Sequence, residues 1–162
     1  MHNLIRSCPN GFRVPYGVTI EQGGLYQAVT ACLVAHNTVI DSKKVGLNIG
    51  TNRMMDRKEM GIAQHPPYEN RFVNNLFSSG SGTHLILNHS PENEVVDNLF
   101  VGGADVSGFV EGNLTDSISG LDDEGFPVAG SKALDKASRV EGHAFYAHLG
   151  ANLDCFLNTP TS

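Results

Sequence analysis

The sequence has no tryptophan, three cysteines, and only 11 lysines and arginines against 17 aspartates and glutamates, a formal net charge of −6. Each scarcity narrows the functions open to it. A nucleic-acid binder tracks phosphates with a basic face, and an acidic chain argues against one. Cys8, Cys32 and Cys155 are an odd number without C-x-x-C spacing, which argues against a structural zinc site. They read as small buried apolar residues, or as one disulfide whose pair the sequence cannot choose. No apolar run approaches the roughly 18 residues of a membrane-spanning helix, so no membrane partner is expected. Nothing resembles a phosphate loop, a zinc motif or a Ser-His-Asp set. What is abundant is glycine, 18 of 162 residues, with an ordinary apolar content of 40%. That is the composition of one domain of short strands and turns.

The most informative stretch is 32–49, Cys-Leu-Val-Ala-His-Asn-Thr-Val-Ile-Asp-Ser-Lys-Lys-Val-Gly-Leu-Asn-Ile. Short β-branched runs alternate with polar bends and no helical period appears. The chain repeats the pattern: His2-Asn3-Leu4-Ile5, Asn74-Asn75-Leu76-Phe77 and Asp97-Asn98-Leu99-Phe100 each place an Asn before an apolar run, then a polar turn, then another strand. The marker Asn residues 3, 37, 75 and 98 lie 34, 38 and 23 residues apart, as equal units separated by insertions would. A repeat of this length made only of short strands predicts an all-β fold, a right-handed parallel β-helix (solenoid) of about four coils with a C-terminal capping tail. Equivalent inward residues then stack in apolar columns: Leu4, Thr38, Leu76 and Leu99 in one, Ile5, Val39, Phe77 and Phe100 in its neighbour across the bend. Asn3, Asn37, Asn75 and Asn98 form a structural ladder, bonded rung to rung, with Asn chosen because it tolerates left-handed backbone angles.

The coils are expected over 1–112, beginning in mid-coil at Met1-His2-Asn3, and a loosely patterned closing segment and cap over 113–162. A first rung without a preceding strand leaves an open parallel edge, which predicts self-association or a partner there, or membership of a longer β-helix. Residues 1–20 lack the charged and apolar regions of a signal peptide. Val18–Thr30 reads as a strand and a Gly-Gly turn feeding the next rung. The insertion 52–67, with Arg53, Arg57, Lys58 and His65, is the most basic stretch and has room for one helical turn before Pro66-Pro67; its plain reading is a solvated loop. The tail carries His143 and His148, five apart and poorly placed to share a metal, and is expected to cover the last rung. His36 falls at an outward position just before a ladder Asn.

These residues also carry a resemblance. Leu25-Tyr26-Gln27-Ala28-Val29 running into Cys32–Val39, then Gly46-Leu47-Asn48-Ile49-Gly50, then Pro66-Pro67 before Asn74-Asn75-Leu76-Phe77, resembles the later coils of polysaccharide lyase family 6, the alginate lyases and chondroitinase-B-like enzymes built on the pectate-lyase-type β-helix. Gly130-Ser131-Lys132-Ala133-Leu134-Asp135 is similar to the closing motif of such secreted β-helices, with Lys132 where Pro is usual. The resemblance covers roughly residues 2–137 and is more specific for the fold than for the family.

It implies β-elimination on a uronate polymer, in which a base removes the proton beside the sugar carboxylate and a cation neutralises that carboxylate. The family's Lys base, Arg and calcium, held by acidic and amide side chains, lie on earlier rungs, and no residue here aligns with them. No catalytic residue, metal ligand or cofactor is therefore assigned to this chain, although calcium belongs to the parent family. The implied reading is the C-terminal part of a secreted or periplasmic lyase acting on an acidic polysaccharide, with residues 1–162 inactive alone. Arg13, Tyr16, Glu21 and Arg53 are the candidate substrate-binding residues, Arg13 pairing the sugar carboxylate. Arg13 has a plainer reading, the outward residue of a strand with Phe12 and Val14 turned in. The alternative for the whole chain is a non-catalytic β-helix, a carbohydrate-binding or phage tailspike-type module.

Overall fold

The computed structural model describes residues 3–15, 17–20, 23–51, 61–79, 83–86, 92–101, 105–107, 112–116, 120–123, 126–142 and 149–150. Among these there are strands and no helix. In chain order they are β1 (Leu4–Arg6), β2 (Asn10–Pro15), β3 (Gly17–Ile20), β4 (Gly23–Tyr26), β5 (Leu33–Ala35), β6 (Thr38–Ser42), β7 (Val45–Thr51) and β8 (Ile62–His65). There follow β9 (Arg71–Val73), β10 (Leu76–Ser79), β11 (Thr83–Ile86), β12 (Glu94–Val96), β13 (Leu99–Val101), β14 (Asp105–Ser107) and β15 (Leu114–Asp116).

Three parallel sheets take equivalent strands from successive repeats. They are the five-stranded β1-β6-β10-β13-β15, the four-stranded β2-β7-β11-β14 and the three-stranded β5-β9-β12. Register is set residue against residue: Leu4, Thr38, Leu76, Leu99 and Leu114 pair in one line, and Ile5, Val39, Phe77, Phe100 and Thr115 in the next. Both sets of residues are therefore aligned, and a fifth member of each comes from β15, which falls within the expected closing segment 113–162. The stretch 18–30 departs from expectation. Its strands β3 and β4 pair antiparallel with each other, and β3 pairs antiparallel with β8 from the next insertion, so the two insertions share a small sheet of their own. The helical turn considered for 52–67 falls largely on residues outside the described ones.

The core follows from alternation, because neighbours on a strand face opposite ways. Val39, Phe77 and Phe100 from the first sheet meet Val14, Leu47 and Ile49 from the second and Phe72 and Val95 from the third. Phe77 stacks on Phe100, centroids 5.5 Å apart, and meets Phe12 edge-on at 6.1 Å. The Leu76 column, expected to face inward across a bend, instead sits next to the other on the same strands and so points away from this core, yet it too is covered. Leu76, Leu99 and Val101 pack under Ala133 and Leu149, and Ala35 and Val73 under Val140. The described part of the C-terminal segment thus lies along the outer faces of the middle strands, where the sequence suggested a lid over the last rung. It still touches the end: Lys132 Nζ donates to the Thr115 carbonyl at 2.8 Å and lies 3.6 Å from Asp116. Gly150, at φ 94°, sits so close to Thr38 Oγ1 that a Cβ would collide with it.

Candidate functional site

The bends are the most specialised part of the molecule. Positive φ occurs at Ser7, Ala31, His36, Asp41, Glu69, Asn74 and Asp97, and at Gly112. Each precedes a residue whose side chain donates to a backbone carbonyl, its own or a neighbouring repeat's: Cys8, Cys32, Asn37, Ser42, Asn70, Asn75, Asn98 and Asn113. This corrects the expectation that the ladder Asn itself takes the left-handed angle; the strain sits one residue earlier. His36, Asn74 and Asp97 carry it, from residue types that tolerate such angles better than most.

The ladder has a direction. The N–H and Nδ2 of Asn3 both donate to Asn37 Oδ1, at 3.1 and 2.9 Å. Asn37 repeats this on Asn75 at 3.0 and 2.9 Å, Asn75 on Asn98 at 3.0 and 2.9 Å, and Asn98 on Asn113 at 3.0 and 2.9 Å. Asn37, Asn75 and Asn98 are buried, so each of these bonds satisfies polar groups that would be costly to leave unpaired. Asn113 extends the ladder one step beyond the four members read from sequence.

A second ladder runs through Cys32, Asn70 and Asn93. Cys32 N–H donates to Asn70 Oδ1 at 3.1 Å, and Asn70 N–H and Nδ2 both donate to Asn93 Oδ1 at 3.0 Å. Its steps, 38 and 23 residues, match two steps of the first ladder, and that coincidence of spacing was the signal available in sequence. Cys32 holds the place of an Asn. Its Sγ donates to the carbonyl two residues back, Thr30, at 3.4 Å, just as Asn37 and Asn98 donate to Ala35 and Val96.

Of the four candidate substrate residues, only Arg13 lies among those described. It is exposed on β2, followed by buried Val14 and preceded by half-buried Phe12, as the alternation required. Its register partner on β7 is Asn48, 7% exposed with its Oδ1 unpaired. Tyr16, Glu21 and Arg53 are outside the described residues, as are Arg57, Lys58, His143 and His148. Lys43 and Lys44 are exposed at a corner, their N–H groups donating to the Cys8 and Pro9 carbonyls. Cys8 and Cys32 are free thiols, half-buried and exposed rather than the buried apolar residues expected, because each sits at a bend and turns its Sγ to a carbonyl two residues back. His36 is not at an exposed outward position: it is 3% exposed, against Asn74, whose amide is bonded to Ser138 of the C-terminal segment. The segment that covers it is remote in sequence, so local pattern gave no hint of the burial.

Among the described residues no three His, Cys, Asp or Glu side chains come together to hold a metal, and no role for calcium is assigned to them. Charges are used in pairs on the surface, Arg71 with Glu94 across β9 and β12 and Lys132 with Asp116. Comparison with models of known protein families, with curated proteins and with solved structures gave no match.

Proposed function

We propose that the chain is a run of right-handed parallel β-helix coils and that it serves, as in family 6 polysaccharide lyases, a secreted protein acting on an acidic, uronate-type polymer. The observation that carries this reading is the stacked register of Leu4, Thr38, Leu76, Leu99 and Leu114 beside an unbroken Asn ladder, joined to a closing segment of the Gly-Ser-x-Ala-Leu-Asp kind. Exposed Arg13 on the outer face of the four-stranded sheet supports a subsite for a sugar carboxylate, since a guanidinium matches carboxylate geometry. In this reading the chain flanks and supports a substrate groove, and the base and carboxylate-neutralising cation are supplied by coils outside it.

A non-catalytic β-helix, carbohydrate-binding or tailspike-like, is the second reading. It is favoured by the structural use of Lys132 and Arg71, which are engaged with Asp116 and Glu94. Both readings are tested by mixing residues 1–162 with alginate and following, in parallel, binding by calorimetry and the ultraviolet absorbance of unsaturated uronate. Binding weakened by Arg13→Ala, with no absorbance change, is the expected result. Turnover by this chain overturns the assignment of catalysis elsewhere, and absence of binding to any uronate polymer removes the lyase reading.

A further inference from the structure

Asn74 ties the C-terminal segment to the stack from a fully buried position at the bend between β9 and β10. Its Oδ1 accepts the Ser138 N–H at 2.9 Å and the Ser138 hydroxyl at 3.3 Å, its Nδ2 donates to the Ser138 carbonyl at 2.7 Å, and its own carbonyl accepts the Gly150 N–H at 2.8 Å. A backbone N–H can only donate and a backbone carbonyl can only accept, so Ser138 fixes which end of the Asn74 amide is oxygen. The atom 3.2 Å from His36 Nε2 is therefore the amide nitrogen, Nδ2. With one of its two hydrogens on Ser138, the other points at the imidazole. A lone pair on Nε2 accepts that hydrogen only in a neutral ring whose proton is on Nδ1, a buried atom for which the structure shows no acceptor.

We propose that His36 and Asn74 form a pH-sensitive latch on the C-terminal segment. A neutral His36 accepts from Asn74 and orients the amide that reads Ser138. A protonated His36 sets an N–H against the N–H of that amide, inside a site where the imidazole is only 3% exposed, so the contact turns from attraction to repulsion. Folding with the segment docked favours the neutral ring. Attachment is thus complete above the ordinary imidazole range, about pH 6.5, and is lost as pH falls through and below it. The charged groups on the described parts of the elements meeting there are half-buried Asp97, at the equivalent bend beyond Asn74, exposed Asp41 of β6, Arg71 of β9 paired with Glu94 of β12, and exposed Asp135, Lys136, Arg139 and Glu141 of the covering segment. His2 holds the matching place in the sequence repeat and lies outside the described residues.

The test is amide hydrogen exchange on the whole chain, corrected for intrinsic pH dependence, from about one unit above to about one unit below the ordinary imidazole ionisation. The Ser138, Leu149 and Gly150 amides are expected to lose about tenfold in protection over that range, while the Leu76 and Leu99 amides inside the stack hold theirs. His36→Asn places at this left-handed position (φ 52°) the residue type that Asn74 (φ 58°) shows to be tolerated, and it should abolish the pH-dependent part. Nitrogen-15 shifts of His36 in the unaltered chain should report the Nδ1–H neutral tautomer near neutral pH. Equal pH dependence in the two chains overturns the latch. So does an Nε2–H tautomer, a result that stands even if the variant fails to fold.

Discussion

The five-stranded sheet buries both of its faces, by different means. On one face Val39, Phe77 and Phe100 are covered by the strands that follow and precede them within the same repeats. On the other, Leu76 and Leu99 are covered by Ala133 and Leu149, and the segment that brings these is fastened by a contact 64 residues away in sequence, Asn74 to Ser138. The first face is made by repetition and needs only that the rungs stack. The second depends on one unrepeated segment, held by a few directional bonds. Repetition gives this protein its core; a single strap seals its side.

Substitutions can break this comparison in graded steps. The largest effect is expected from Phe77→Ala, which empties the middle of the inner column and removes ring contacts to Phe12 and Phe100; about 3–5 kcal/mol of stability should be lost, with one cooperative transition on denaturant unfolding. Asn37→Leu comes next. It leaves the N–H and Nδ2 of Asn3 without their acceptor and takes from Asn75 Oδ1 the side-chain donor of residue 37, while the residue 37 backbone N–H still reaches that oxygen, at about 1–3 kcal/mol. An unchanged thermal midpoint for this variant contradicts an inward ladder.

Asn74→Ala strikes the strap first, with a smaller cost at the left-handed angle of residue 74 (φ 58°). Hydrogen exchange should rise at Ser138 and Gly150 with the Leu99 amide still protected, so that the outer seal opens without the core; loss of both together would erase the distinction between the faces. Cys32→Asn sharpens the account in the opposite direction. It restores to the second ladder the amide that Asn70 and Asn93 carry, and should stabilise by about 0.5–1.5 kcal/mol. Arg71→Ala, which cuts an exposed ion pair with Glu94, should change stability by less than about 1 kcal/mol.

The columns were legible because identical residue types recur at equal positions: Asn before Leu-Phe at 75–77 and 98–100 states both the bend and the register. Which column faces inward was not legible. Leu76 and Phe77 are both apolar because both sides of the sheet are covered, and alternation identifies a face only when one side is wet. The left-handed residues escaped notice because no single residue type marks them; Ser, Ala, His, Asp, Glu and Asn all serve. The second ladder was hidden by a cysteine at its head. For the candidate substrate residues, the sequence placed Arg13 on an outer strand face, and there it lies; the chemistry it serves depends on a ligand that neither alternation nor spacing can name.

The stacked register is tested most directly by nuclear Overhauser contacts in the isotopically labelled chain. Side-chain contacts linking Val39 to Phe77 and Phe77 to Phe100, with a separate set linking Leu76, Leu99 and Leu149, are the predicted result. Contacts from Phe77 to neither Val39 nor Phe100, or a Leu76 in contact with the inner set, would contradict the account.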